Sequence, residues 1–100
     1  MLRSFSYAAY AALFNYAARR PEAVDQLEPW AQLWERSTSA EFLRAYRETI
    51  APGRLLPESP GDAEALLRAY LIDKAMYELR YEFNNRPNWV RIPMWGLAEL

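Results

Sequence analysis

Seven prolines and three glycines punctuate this chain, and they leave three long stretches free of helix breakers. That placement decides the fold class, because each stretch carries apolar residues at helical spacing and none alternates as a strand would. The first runs from Arg3 to Arg20 and is rich in Ala, the best helix former, with Phe5, Leu13, Phe14 and Tyr16 joining Ala9 and Ala12 on one side. Arg19 and Arg20 suit the negative end of a helix dipole, and Pro21 stops the helix. A short turn or helix over residues 21–27 precedes a second helix, predicted to open at Pro29, where a first helical residue tolerates a missing N–H. Trp30, Leu33, Trp34, Phe42, Leu43, Tyr46 and Ile50 carry its period to Ala51, with Ser37, Thr38 and Ser39 as the weakest stretch.

Pro52 and Gly53 break that helix, and Arg54 to Pro60 reads as a loop. Ser59 is placed to cap a third helix, with Pro60 at its first position and Asp62 completing a capping-box-like pattern. It is predicted to run to about Asn84, where Asn84 and Asn85 can take a left-handed turn before Arg86 and Pro87. Residues 88–92 read as extended, and a short last helix is expected from Pro93, weakened by Gly96. The fold class is all-α, in one helical segment covering residues 1–100.

Charge and composition narrow the function. Twelve basic residues against thirteen acidic ones, without a cationic cluster, speak against a nucleic-acid partner. The absence of Cys and His removes thiol nucleophiles, imidazole bases and most zinc sites. The longest uncharged run, Ser4 to Ala18, is shorter than the roughly 20 apolar residues that span a bilayer. No secretion signal opens the chain, so no membrane partner and a cytoplasmic location are expected. Three glycines provide no Gly-rich loop to cradle a triphosphate.

The third helix is unusual in having two marked faces. Ile72, Ala75, Met76, Leu79 and Phe83 form an apolar stripe expected to face the core. On another side Tyr70, Lys74, Tyr77 and Tyr81 lie at about 0°, 40°, 340° and 20°, so three phenols and the only lysine share one narrow strip. Two readings of the strip stand side by side. One is packing with the hydroxyls reaching solvent. The other is a sugar site, in which phenol faces stack on a pyranose ring while hydroxyls and ammonium bond its hydroxyls. Glu78 and Glu82, four apart, lie on adjacent turns of one helix and cannot bracket a glycosidic bond as a glycosidase pair must.

The string Asp73-Lys74-Ala75-Met76-Tyr77-Glu78-Leu79-Arg80-Tyr81-Glu82, then Asn84-Asn85-Arg86-Pro87 and Trp89-Val90-Arg91-Ile92-Pro93, together with Leu2-Arg3-Ser4-Phe5-Ser6-Tyr7-Ala8-Ala9, resembles the maltokinase family. The resemblance follows the order of the whole chain, loosely over residues 20–64, and is similar to the C-terminal end of that domain, free-standing or fused behind trehalose synthase (maltose α-glucosyltransferase). Trp95 stands where the family more often has a basic residue and Asn88 where it more often has Asp.

The resemblance implies the helical part of the C-terminal lobe of a protein-kinase-like fold, akin to aminoglycoside phosphotransferases, with Met1 at an internal position of a longer domain. It implies a complete enzyme that uses ATP and Mg²⁺ to phosphorylate maltose at its anomeric hydroxyl. Its two catalytic Asp positions lie outside these residues, so the isolated chain is expected to be inactive. Lys74, Tyr77 and Tyr81 are implied maltose contacts, Glu78 and Trp89 rim contacts, and Arg86 either a loop brace or a sugar contact. The implied partners are maltose or a related sugar, the N-terminal kinase lobe and, through uncovered faces, a second copy. The alternative is a helical interaction module without catalysis.

Overall fold

The structure, a computed structural model, describes residues 1–55 and 57–100 and is helical, with no strand among the described residues. Helix α1 spans Leu2–Ala17, α2 Ala23–Ile50, α3 Pro60–Asn85 and α4 Arg91–Ala98. Single 3₁₀ turns, Ala51–Gly53 and Pro87–Trp89, follow α2 and α3. The chain divides into two compact units, residues 1–46 and 47–100.

In the first unit, α1 buries Ser6, Ala9, Tyr10, Leu13 and Ala17, a stripe at helical spacing. The expected stripe is corrected by one small rotation: Tyr16 and Ala12 are exposed, and Tyr10 takes the central place. The reason is polar. Tyr10 is 1% exposed, and its hydroxyl donates to Glu28 Oε1 at 2.9 Å while accepting from Gln32 Nε2 at 3.2 Å. Gln32 Nε2 also donates to Glu28 Oε1 at 3.2 Å. A rotation that buried Tyr16 would swing Tyr10 off both partners.

The same contacts account for a second correction. The second helix opens at Ala23, ahead of Pro29, which lies inside it. An internal proline forfeits one backbone bond and typically costs about 3 kcal/mol. Glu28 and Gln32 flank Pro29 on neighbouring turns, and Tyr10 binds both, so tertiary hydrogen bonds favour helical geometry on either side of the proline. The stretch Ser37–Ser39 holds as well. Glu35 Oε1 accepts from Ser39 Oγ at 3.1 Å and from Ser6 Oγ at 3.3 Å, and Ser6 Oγ accepts from Arg3 Nη1 at 3.1 Å. Phe5 sits edge-on to Trp34 and Phe42, with ring centroids 6.4 and 5.7 Å away.

Helix α1 stops three residues earlier than expected. The Ala18, Arg19 and Arg20 amides donate to the carbonyls of Phe14, Tyr16 and Ala17, so the two arginines lie in the tightening turn past the helix. Pro52 and Gly53 end α2 as expected, in a 3₁₀ turn whose next residue, Arg54, has φ 52°. Leu56, inside the expected loop, lies outside the described residues.

In the second unit, α3 starts at Pro60 with Ser59 at the capping position, but the Ser59 side chain makes no capping bond. The expected left-handed Asn84–Asn85 turn is also corrected. Both residues stay helical, their Nδ2 groups donating to the Arg80 and Tyr81 carbonyls at 3.0 and 2.8 Å. The helix ends at Arg86, in non-helical geometry (φ −139°, ψ 75°), because Pro87 disfavours a helical predecessor. Residues expected to be extended instead form the 3₁₀ turn and the start of α4, with Pro93 in that helix's first turn, where no N–H is needed.

Packing of α3 on α4 and the 3₁₀ turn defines this unit. Ile92, Pro93 and Gly96 are buried on the α4 side, and Ala75, Glu78 and Glu82 on the α3 side. Arg68 donates to the Leu100 carbonyl near the chain's end. The stripe expected to be core is not: Ile72, Met76 and Phe83 are 39, 52 and 70% exposed, and only Ala75 of that set is buried. Replacing Tyr10 by Phe should lower stability by about 1–2 kcal/mol in urea unfolding, since the buried ring stays while its hydroxyl's bonds go. Tyr16→Phe, at an exposed ring, should leave the midpoint unchanged.

Candidate functional site

Tyr70, Lys74, Tyr77 and Tyr81 stand on α3 in one exposed line, as their period requires. Lys74 Nζ lies over the Tyr77 ring, 4.9 Å from its centroid, so the ammonium and one phenol form a single unit of charge and flat surface. Tyr77 is 63% exposed. Within this unit both marked faces of α3 keep exposed residues, Tyr70, Lys74, Tyr77 and Tyr81 on one and Ile72, Met76 and Phe83 on the other. The helix presents to α4 a third face between them, at roughly 80–140° from Tyr70, where Glu78, Ala75 and Glu82 lie.

That placement separates the two rim residues. Glu78 is buried, on the face of α3 that adjoins the strip. Trp89, in the turn after α3, is half-buried and reaches the strip through Arg86. The Arg86 guanidinium carbon lies 4.0 Å from the Trp89 ring centroid and 6.0 Å from that of Tyr81. Glu82, 1% exposed, accepts Arg86 Nε at 3.0 Å and Nη2 at 2.7 Å through its two oxygens. Between bracing the loop and touching a sugar, the geometry favours the brace for Arg86.

This bidentate pair is what the sequence reading passed over. Its signal was available as a Glu and an Arg four apart at the end of a helix, where a cation also complements the helix dipole.

Chemically, the strip offers phenol faces, hydroxyls that donate and accept, and one ammonium with three donors. It can bind and orient a polar, flat ligand. Glu82 is committed to Arg86 and shares a buried face with Glu78, so the two do not form an acid–base pair across a cleft. Among the described residues no group of three acidic, His or Cys side chains is placed to hold a metal ion, and no helix is long and apolar enough to cross a membrane. No protein-family model matches the chain, and no solved structure matches it at a significant level.

Glu82→Gln should cost about 1.5–3 kcal/mol in chemical unfolding, because hydrogen bonds to a charged group are lost while the buried amide keeps its size. The salt dependence of the midpoint should weaken together with that loss.

Proposed function

We propose that this chain is the acceptor-binding helical part of a maltokinase, whose complete enzyme transfers the γ-phosphate of ATP to the anomeric hydroxyl of maltose. The observation that carries the reading is the open strip in which the Lys74 ammonium lies over Tyr77, in line with Tyr81. The resemblance of residues 73–93 to that family supports it. Tyr77 and Tyr81 supply faces for pyranose rings and hydroxyls for their oxygens, and Lys74 supplies donors to sugar hydroxyls.

ATP and Mg²⁺ have no fitting partner set among the described residues of this chain. No Gly-rich loop opens a helix, and no carboxylate cluster could hold the metal. The phosphate-handling groups belong, in this proposal, to the N-terminal lobe and catalytic loop of the complete domain. Phosphoryl transfer depends on positioning and charge neutralisation, so the chain's own contribution is to hold the acceptor. The pure 100-residue chain should accordingly release no ADP from ATP with or without maltose, in a coupled assay sensitive to slow turnover.

In the complete enzyme, Lys74→Met and Tyr77→Phe should each lower kcat/KM for maltose roughly tenfold to a hundredfold, the loss expected for one polar contact to a substrate hydroxyl. The ATP constant should stay near that of the parent. Variants that melt like the parent and keep its maltose kinetics would remove the strip from the site.

The second reading, a helical interaction module, is favoured by one observation: Ile72, Met76 and Phe83 form an exposed apolar face on α3. Concentration-dependent self-association of the chain, abolished by Met76→Glu and accompanied by no sugar response, would select this reading over the first.

A further inference from the structure

We infer that Arg86 is a positioning residue of the acceptor site, a guanidinium fixed by buried Glu82 that holds Tyr81 and Trp89 in register; the inference rests on the sugar-binding reading above. At 1% exposure Glu82 needs a partner, and Arg86 meets both of its oxygens, at 3.0 and 2.7 Å. Two bonds along one edge fix the plane of a guanidinium, where one bond would leave it free to swing. The backbone adds a second tie, because the Arg86 amide donates to the Glu82 carbonyl at 2.7 Å.

A fixed plane fixes the rings that lie against it. The guanidinium carbon is 4.0 Å from the Trp89 ring centroid, stacking distance, and 6.0 Å from that of Tyr81, the outer limit of a cation–π contact. Trp89 is tied by its backbone too, its amide donating to the Arg86 carbonyl at 2.8 Å. One cation therefore joins the last ring of the α3 strip to an indole that belongs to a different element. The strip then extends past the end of the helix. Lys74 to Tyr81 is seven residues, about 10 Å of helix, and Trp89 adds a further aromatic surface beyond Tyr81. A row of that length suits an acceptor of two rings better than of one, with one ring near Lys74 and Tyr77 and the other near Tyr81 and Trp89.

Arg86 itself does not need to touch sugar for this. Its two bonded nitrogens face Glu82, and its effect passes through the rings. Lysine cannot replace it, since an ammonium has no plane to set and no fork to match a carboxylate.

The test is steady-state kinetics of the complete enzyme carrying this segment, with Arg86→Lys, Tyr81→Ala and their combination. Arg86→Lys, which keeps the charge, should raise the maltose KM about tenfold while leaving kcat and the ATP KM within about twofold of the parent. Combined with Tyr81→Ala it should add little, because a residue that acts through Tyr81 has nothing left to position. Tryptophan emission should shift in Arg86→Lys without maltose present, and the shift should vanish when Trp89→Leu is made in both parent and variant. Parent-like maltose kinetics, a loss fully additive with that of Tyr81→Ala, or an ATP KM that rises equally would overturn the inference. Should Arg86→Lys not fold, Trp89→Leu takes its place: a maltose KM raised severalfold supports the role, and an unchanged one ends it. An unmodified enzyme without maltose-dependent ADP release would defeat the sugar reading and this inference together, whereas an active enzyme indifferent to Arg86 and Trp89 would defeat this inference alone.

Discussion

A carboxylate with almost no access to water is the constraint around which the second unit is arranged. Glu82 can be buried only with a partner that satisfies both oxygens, and Arg86 is that partner. The pair lies at the end of the face that α3 turns inward. With Glu82 inward, the neighbours on its face, Glu78 and Ala75, go inward as well, and Ile92 of α4 packs on the same side. The apolar stripe and the tyrosine strip are left on the flanks. A helix that buried Ile72, Met76 and Phe83 would instead rotate Glu82 away from α4 and open its pairing with the loop to solvent. In the observed orientation the buried carboxylate is tolerated because Arg86 meets both of its oxygens, where an unpaired charge would cost several kcal/mol.

Unit one follows a milder version of the same rule. Tyr10 is the largest side chain on the buried stripe of α1, and its hydroxyl must be satisfied where it lies. Glu28 and Gln32 do so from successive turns of α2, and in doing so they hold helical geometry across Pro29. Glu35 plays the same part further along, accepting from Ser6 and Ser39 beside the stretch with the poorest helix propensity. In both units a polar group in a buried place has its hydrogen bonds met.

The proposed acceptor site inherits its shape from these choices. Because the strip is on a flank of α3, it is free to meet a ligand, and because Arg86 is drawn to Glu82, the indole of Trp89 is brought to the strip's end. In the proposed site, binding surface and structural pair are adjacent: the guanidinium that pairs with Glu82 at the end of the helix also lies against the Trp89 and Tyr81 rings. An aromatic platform loses little entropy on binding when its rings are already held, which is how a rigid brace can raise affinity without a contact of its own.

The sequence by itself determined the helices and their breaks. Pro21, Pro52 with Gly53, and Pro87 mark the interruptions because a missing N–H or an unrestricted backbone acts locally, whatever lies around it. It determined, too, that Lys74, Tyr77 and Tyr81 share a line, since a 100° step per residue is a property of the helix alone. Local chemistry was a poorer guide at the edges: Pro29 falls within a helix, Ser59 caps nothing with its side chain, and Asn84 and Asn85 bond back to the preceding turn. Only the tertiary structure decided which face of each helix turns inward. Periodicity ranks faces by hydrophobicity, and on α3 two faces outrank the one that is buried; on α1 the decision rests on Tyr10 finding Glu28 and Gln32 on another helix, and on α3 it rests on packing against α4, contacts set by distance in space that a spacing along the chain does not specify.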